Sequence, residues 1–90
     1  MIVKLYAVVD RISGIYDGPH KAINDGQFLR SFADSVTDPK SGIYNHPEDF
    51  YAVVLGSYND ATGQIVPTDG GAQRIADATD FSRPLNDEEK

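Results

Sequence analysis

The chain has 90 residues, a formal net charge of −6, 40% apolar and 10% aromatic residues, and no cysteine. This length corresponds to one small domain, and the aromatic content is typical of a folded chain rather than a disordered one. The lack of cysteine excludes disulfide frameworks, thiolate metal sites and cysteine nucleophiles.

The negative charge opposes binding of nucleic acid by bulk electrostatics, but it is unevenly distributed. Residues 1–58 carry five basic and seven acidic side chains, whereas residues 59–90 carry three basic and seven acidic ones. The sequence shows no basic leader and no apolar run of 18 residues, so we expect an intracellular protein without a signal peptide or membrane span.

The first segment predicts a β-hairpin. Residues 2–9 (IVKLYAVV) are rich in β-branched and aromatic side chains, which favours a central strand. A tight connection at 10–14 precedes a short return strand at 15–16, which the DGP sequence at 17–19 is predicted to end. By strand alternation, one face of the first strand lacks any charge or hydroxyl and is predicted to be its core face. That face comprises Val3, Leu5, Ala7 and Val9.

The next segment predicts a helix over residues 24–37. Asn24 followed three residues later by Gln27 is a variant of the capping box. Apolar side chains then recur at helical spacing between residues 28 and 36, and Pro39 ends the helix. The apolar stripe is expected to cover one face of a sheet.

The second half predicts a loop and another hairpin. Residues 39–49 contain two prolines and a glycine and are predicted to cross the sheet as a loop. Residues 50–58 (FYAVVLGSY) predict a second central strand, which turns at 59–63 and returns at 64–66.

Together these elements predict an α+β fold, with a small antiparallel sheet of about four strands in the order β-β-α-β-β and one helix packed on one face. Residues 1–67 are expected to form the domain. Residues 68–90 are expected to form an extended acidic C-terminal tail, with a turn of helix possible around residues 72–78.

Enzymatic motifs are not apparent in the sequence. It has no nucleophile elbow, no glycine-rich phosphate loop after a strand and no HExxH motif, so we do not expect an enzyme. His20 and His46 each flank a proline and do not share a helical face, so no metal or other cofactor is expected. The adjacent carboxylates Glu48 and Asp49 are interpreted as structural groups at the start of a strand.

The distribution of aromatic residues suggests a binding surface. Tyr6 lies on one predicted central strand and Tyr51 on the other, and simple alternation places Phe50 and Tyr58 on the face opposite Tyr51. Because one helix covers only one face, exposed rings could stack on nucleobases or be buried in a homodimer interface. Both interpretations stay open. The candidate nucleic-acid-binding residues are Lys4, Tyr6, Arg11, Lys21, Arg30 and Tyr51.

Four motifs in a fixed order carry a family resemblance. They are LYAVVDR at Leu5–Arg11, HPEDF at His46–Phe50, LGSYND at Leu55–Asp60, and DATGQIVP at Asp60–Pro67. Together with the helix sequence NDGQFLRSFAD, they resemble the small nonstructural protein of gokushovirus-type microviruses over about residues 3–67. Position 50 is Phe where that family has Tyr, and the sequence after Pro67 matches no motif of the family.

The resemblance implies a role inside an infected bacterium, in the cytoplasm of the host of a small single-stranded DNA phage. The expected function is noncatalytic and lies in viral DNA replication, or in the switch to single-stranded genome synthesis and packaging, through binding of single-stranded DNA. The alternative is a homodimeric protein–protein adapter that engages phage or host replication proteins without contacting DNA. In either case we expect a homodimer and no membrane partner.

Overall fold

The computed structural model describes residues 1–82, in which one antiparallel sheet carries one long helix on one of its faces. The strands are β1 (Ile2–Asp10), β2 (Tyr16–Ala22), β3 (Phe50–Asn59), β4 (Ile65–Pro67) and β5 (Gln73–Asp77). The helices are α1 (Asp25–Thr37) and the single-turn α2 (Gly42–Asn45), with 3₁₀ turns at Pro47–Asp49 and Ala78–Asp80. The sheet order is β2-β1-β3-β4, and β5 also pairs with β3. The predicted α+β fold is confirmed.

Helix α1 begins and ends where the sequence predicts. The side chain of Asn24 accepts a hydrogen bond from the backbone N–H of Gln27 at 2.9 Å, and Gln27 Oε1 accepts one from the N–H of Ile23 at 2.7 Å. These bonds satisfy backbone donors that the first turn of a helix leaves free. The helix ends at Asp38, whose backbone is extended as expected before a proline.

The core lies between α1 and the face of the sheet that carries Tyr6. Phe28, Phe32 and Val36 of α1 are buried there, and the Phe28 ring stacks on the Tyr6 ring with centroids 4.5 Å apart and planes 5° apart. The four side chains predicted to form the core face of β1 are all buried, at most 9% exposed, but α1 covers the opposite face of the strand; the four are Val3, Leu5, Ala7 and Val9. Ala7 and Val9 are buried together with Val53, and Tyr51 and Leu55 of the sheet pack against this cluster.

Strand β2 is longer than predicted, because the DGP sequence does not end it. It continues to Ala22, and its register against β1 shifts between the pairs Val8–Asp17 and Tyr6–His20. Gly18 lies at this irregularity, where a Cβ atom would meet the backbone oxygen of Tyr6 at 2.8 Å. A residue without a side chain therefore allows the two backbones to approach closely here.

The segment after residue 67 extends the sheet. Gln73–Asp77 form β5, which pairs with the first half of β3, so the predicted helical turn around 72–78 is wrong. Ala78 is fully buried in the same core as α1, and the Phe81 ring meets the Phe32 ring edge-on at 5.9 Å. Residues 68–82 are thus continuous with the sheet and core, and residues 83–90 of the predicted tail lie outside the described residues.

Candidate nucleic-acid interface

The face of the sheet opposite α1, called the open face below, is not covered by any helix within residues 1–82. Ala7, Val9 and Val53 lie buried at its centre, and Tyr51 and Leu55 pack against them. Side chains directly opposite each other on paired strands project to the same face, so the register identifies the other members. Tyr16 and Lys21 of β2 lie opposite Val9 and Leu5, and Arg74 of β5 lies opposite Val53.

A β-bulge places two tyrosines of β3 on this open face. Tyr51 lies opposite Val9 and Tyr58 lies opposite Val3, although seven positions separate the tyrosines and only six separate the valines. The extra residue is inserted between Val54 and Gly56, where the register of β3 against β1 shifts. Simple alternation had predicted opposite faces for Tyr51 and Tyr58, and that prediction is wrong because the bulge changes the phase of the strand.

Each of these tyrosines has a cation over its ring. The guanidinium carbon of Arg11 lies 4.6 Å from the centroid of Tyr51, and Nζ of Lys21 lies 6.0 Å from the centroid of Tyr58. Both distances fall within the range of cation–π attraction. Tyr16 adds a third ring at the β2 edge, with 52% of its surface exposed. The open face thus combines aromatic rings with positive charge, the two chemical groups that hold single-stranded nucleic acid.

Arg11 is held in place by three contacts. Nη2 donates to Asp77 Oδ1 at 2.8 Å, Nη1 donates to the carbonyl oxygen of Glu48 at 2.8 Å, and the guanidinium lies over Tyr51. Asp77 lies opposite Tyr51 in the sheet and also approaches Nη1 of Arg74 at 3.7 Å. A carboxylate therefore lies between two arginines on the open face.

The acidic residues of β1, β2 and α1 lie mainly on the helix side of the sheet. Asp10 and Asp17 are opposite Phe50 and Val8, whose side chains pack on the core under α1, and Asp25 belongs to α1 itself. These three acidic residues, of 14 in the chain, project away from the face that carries the cations. At the far end of the sheet, the amino group of Met1 donates to Asp60 at 2.8 Å and holds the pKa of Asp60 below its usual value.

The structure brings three of the six predicted binding residues together on the open face, namely Arg11, Lys21 and Tyr51. The other three lie on the helix side. Lys4 lies 3.5 Å from the carboxylate of Asp25, and Arg30 projects from the exposed side of α1, away from the buried stripe.

Tyr6 is not an exposed ring. It is 0% exposed, its ring is covered by Phe28, and its hydroxyl donates to Asp25 Oδ1 at 2.6 Å. Burial and this hydrogen bond raise the pKa of Tyr6 well above its usual value. The prediction that Tyr6 offers a stacking surface is therefore wrong, because a carboxylate on the first turn of α1 satisfies its hydroxyl inside the protein.

Three members of the open face were missed by sequence reasoning, namely Tyr16, Tyr58 and Arg74. Gly56 in the middle of β3 was the available signal for Tyr58, because a glycine inside a strand often marks a bulge. A Cβ atom at position 56 would collide with the backbone of Val66 and Pro67 in β4. Arg74 was missed because β5 has no sustained alternation of apolar and polar residues.

One group within residues 1–82 has metal-ligating atoms close together. His46, Glu48 and Asp49 each place a ligand atom within 4.8 Å of the others. Both His46 and Glu48 are exposed, and the group lies in the turn that leads into β3. An exposed, partly acidic turn of this kind is common without an ion, and it does not define a cofactor site.

The fold and the open face define a small α+β protein whose uncovered sheet surface carries tyrosines and basic side chains. The model of the family described as Phage ORF5 protein matches residues 3–81, so the chain belongs to this family and is a phage protein. The match includes β5, beyond the region that carries the microvirus resemblance. No curated protein and no solved structure matches the chain. Within residues 1–82, no helix is long and apolar enough to cross a membrane.

Proposed function

We propose that this phage protein is a noncatalytic protein that binds single-stranded DNA through the open face. The observation that carries the proposal is the alignment of Tyr51 and Tyr58 on one uncovered face, each with a cation over its ring. Nucleobases stack on aromatic rings and on arginine guanidinium planes such as the one that covers Tyr51, and lysine or arginine can also neutralise the backbone phosphates. The β1 register places the two rings six residues apart, or about 20 Å along the strand. A strand of several nucleotides can span that distance.

Membership of a phage family and the resemblance to the microvirus nonstructural protein support a role during infection. The proposed setting is the cytoplasm of the bacterial host, in replication of the phage genome or in the switch to single-stranded genome synthesis and packaging. Stacking also suits a chain with a net charge of −6, because it supplies affinity that does not depend on overall charge.

The test is a titration of a labelled single-stranded oligonucleotide of about 15 nucleotides, a length within the usual site size of a small binding domain. Wild-type protein is expected to bind saturably and to prefer the single strand to duplex competitor. Tyr58→Leu keeps an apolar side chain on the sheet but removes the aromatic ring, and it should weaken binding by about 5- to 30-fold. The matched control is Tyr44→Leu, because Tyr44 is an exposed ring in α2 on the helix side.

Two further results decide the proposal. Lys21→Gln should reduce the slope of log affinity against log salt by about 0.7, the amount expected for one phosphate contact on a single strand. If wild-type protein shows no saturable binding at low salt, or if Tyr58→Leu and Tyr44→Leu weaken binding equally, the open face is not a DNA-binding surface.

A homodimeric adapter that does not contact DNA is the second candidate, and a patch of exposed apolar side chains favours it. Ile2 and Val66 lie on the helix face of the sheet but are 59% and 51% exposed, so α1 does not cover them. Surfaces of this kind are suited to protein partners, including a second copy of the chain. Light scattering should then report twice the chain mass of 9.8 kDa, and Val66→Lys should return the monomer. A wild-type monomer at all concentrations would contradict the dimer.

A further inference from the structure

Asp77 occupies the part of the open face where a DNA phosphate would be expected to bind. Its carboxylate contacts Arg11 at 2.8 Å and Arg74 at 3.7 Å, and the guanidinium of Arg11 lies over Tyr51. The planar fork of an arginine binds carboxylate and phosphate with the same geometry. The carboxylate and a phosphate therefore compete for the same donors.

We propose that Asp77 is a built-in competitor of the DNA phosphate for Arg11 and Arg74. The inference rests on the proposed DNA-binding function and specifies how that site is regulated. While the carboxylate holds the arginines, they are neutralised but kept in position beside Tyr51. A phosphate must displace the carboxylate and also overcome its repulsion, which lowers affinity and makes release of DNA easy.

The exposure of the pair makes exchange feasible. The side chains of Arg11 and Asp77 are 37% and 32% exposed, so water reaches both partners. Ion pairs that solvent reaches are weak, and their partners exchange readily with other ions. The contact from Arg11 to the carbonyl oxygen of Glu48 can persist when the carboxylate is displaced, because it uses a different nitrogen, Nη1. Arg11 would then stay over Tyr51 with Nη2 free to donate to phosphate.

The test compares Asp77→Asn with Asp80→Asn. Residue 77 is the N-cap of the 3₁₀ turn at Ala78–Asp80. Asn has the shape of Asp and is equally suited to an N-cap position. The control makes the same change in charge three residues away, where Asp80 Oδ2 accepts from the backbone N–H of Asp77 and forms no ion pair with either arginine. Thermal unfolding of both variants checks that the fold is retained.

The expected result is that Asp77→Asn binds the single-stranded oligonucleotide roughly two- to fivefold more tightly at low salt than Asp80→Asn does, which is the scale of one partly exposed charge pair. The salt slope should steepen by about 0.7 for each arginine that gains a phosphate. An abasic oligonucleotide should show the same gain, because the new contact is to the backbone. In the double variant with Arg74→Gln, the gain should shrink.

The outcomes separate this inference from the function on which it rests. If wild-type protein binds DNA and Tyr58→Leu weakens it, but Asp77→Asn and Asp80→Asn behave alike, Asp77 is not a competitor and only this inference fails. If Asp77→Asn binds more weakly than the control, Asp77 supports the bound state and the inference is again wrong. If none of these proteins binds DNA, the proposed function fails and the inference fails with it.

Discussion

Replacing Tyr6 by phenylalanine removes one hydroxyl from the interior and tests how the first strand is held beneath α1. The ring remains stacked on Phe28, so the packing of the core is preserved. What is lost is the 2.6 Å hydrogen bond to the carboxylate of Asp25, which joins β1 to the first turn of the helix. The variant therefore isolates one polar contact between sheet and helix.

The magnitude follows from the surroundings of Asp25. Hydrogen bonds to a charged group contribute about 1.5–3 kcal/mol to stability. The Asp25 side chain is 45% exposed and also lies 3.5 Å from Nζ of Lys4, so water and lysine can compensate part of the loss. We therefore expect Tyr6→Phe to lower the free energy of unfolding by about 1–2 kcal/mol, at or just below the low end of that range. In a domain of this size, each kcal/mol lowers the melting temperature by about 4–8 °C.

Urea denaturation followed by circular dichroism measures this change directly. Tyr44→Phe removes an exposed hydroxyl and is the matched control, expected to stay within about 0.5 kcal/mol of wild type. If Tyr6→Phe is as stable as wild type, the hydroxyl does not link β1 to α1 and the account of why this tyrosine is buried is wrong. An equal loss in both variants would refute it as well.

Two further predictions concern pH and backbone packing. The pKa of the Tyr6 hydroxyl is raised in the folded state, so the unfolded chain loses this proton at a lower pH than the folded protein does. The free energy of unfolding should therefore fall as the pH rises above about 10. Tyr6→Phe should show a smaller fall when unfolding is measured from about pH 8 to 11. Gly56→Ala should cost about 1–3 kcal/mol and reduce hydrogen-exchange protection in β4, because the new methyl group meets the backbone of Val66. Gly26→Ala in α1 is its control and should instead stabilise by up to about 1 kcal/mol, so a loss of equal size in both would contradict the packing argument.

The local signals in the sequence were sufficient for the main elements. Asn24 and Gln27 fix the start of α1, and Pro39 fixes its end, because capping and proline effects depend on neighbouring residues alone. The long strands were recognisable for the same reason, from runs of β-branched and aromatic residues.

The faces of the strands depended on contacts that are distant in sequence. The hydroxyl of Tyr6 assigns this residue to the less apolar face of β1 by sequence, but Asp25 of α1 supplies the partner that lets the hydroxyl be buried. Alternation predicts the wrong side of β3 for Tyr58 because it assumes a regular ladder, which the bulge before Gly56 breaks. Lys4 and Tyr6 lie on the helix side for reasons of this kind, whereas Arg30 lies there because it belongs to α1 itself.

The charge of the open face limits how DNA can be held there. Arg11, Lys21 and Arg74 can neutralise about three phosphates at most, and each contributes about 0.7 to the salt slope on a single strand. While Asp77 occupies the two arginines, the slope should be nearer to that of one contact. Most of the affinity must then come from bases stacking on Tyr16, on Tyr58 and on the Arg11 guanidinium that covers Tyr51, none of which a base-paired duplex can reach with the faces of its bases. Duplex of the same sequence should therefore compete poorly, and efficient competition by duplex would show that phosphate contacts rather than stacking hold the DNA.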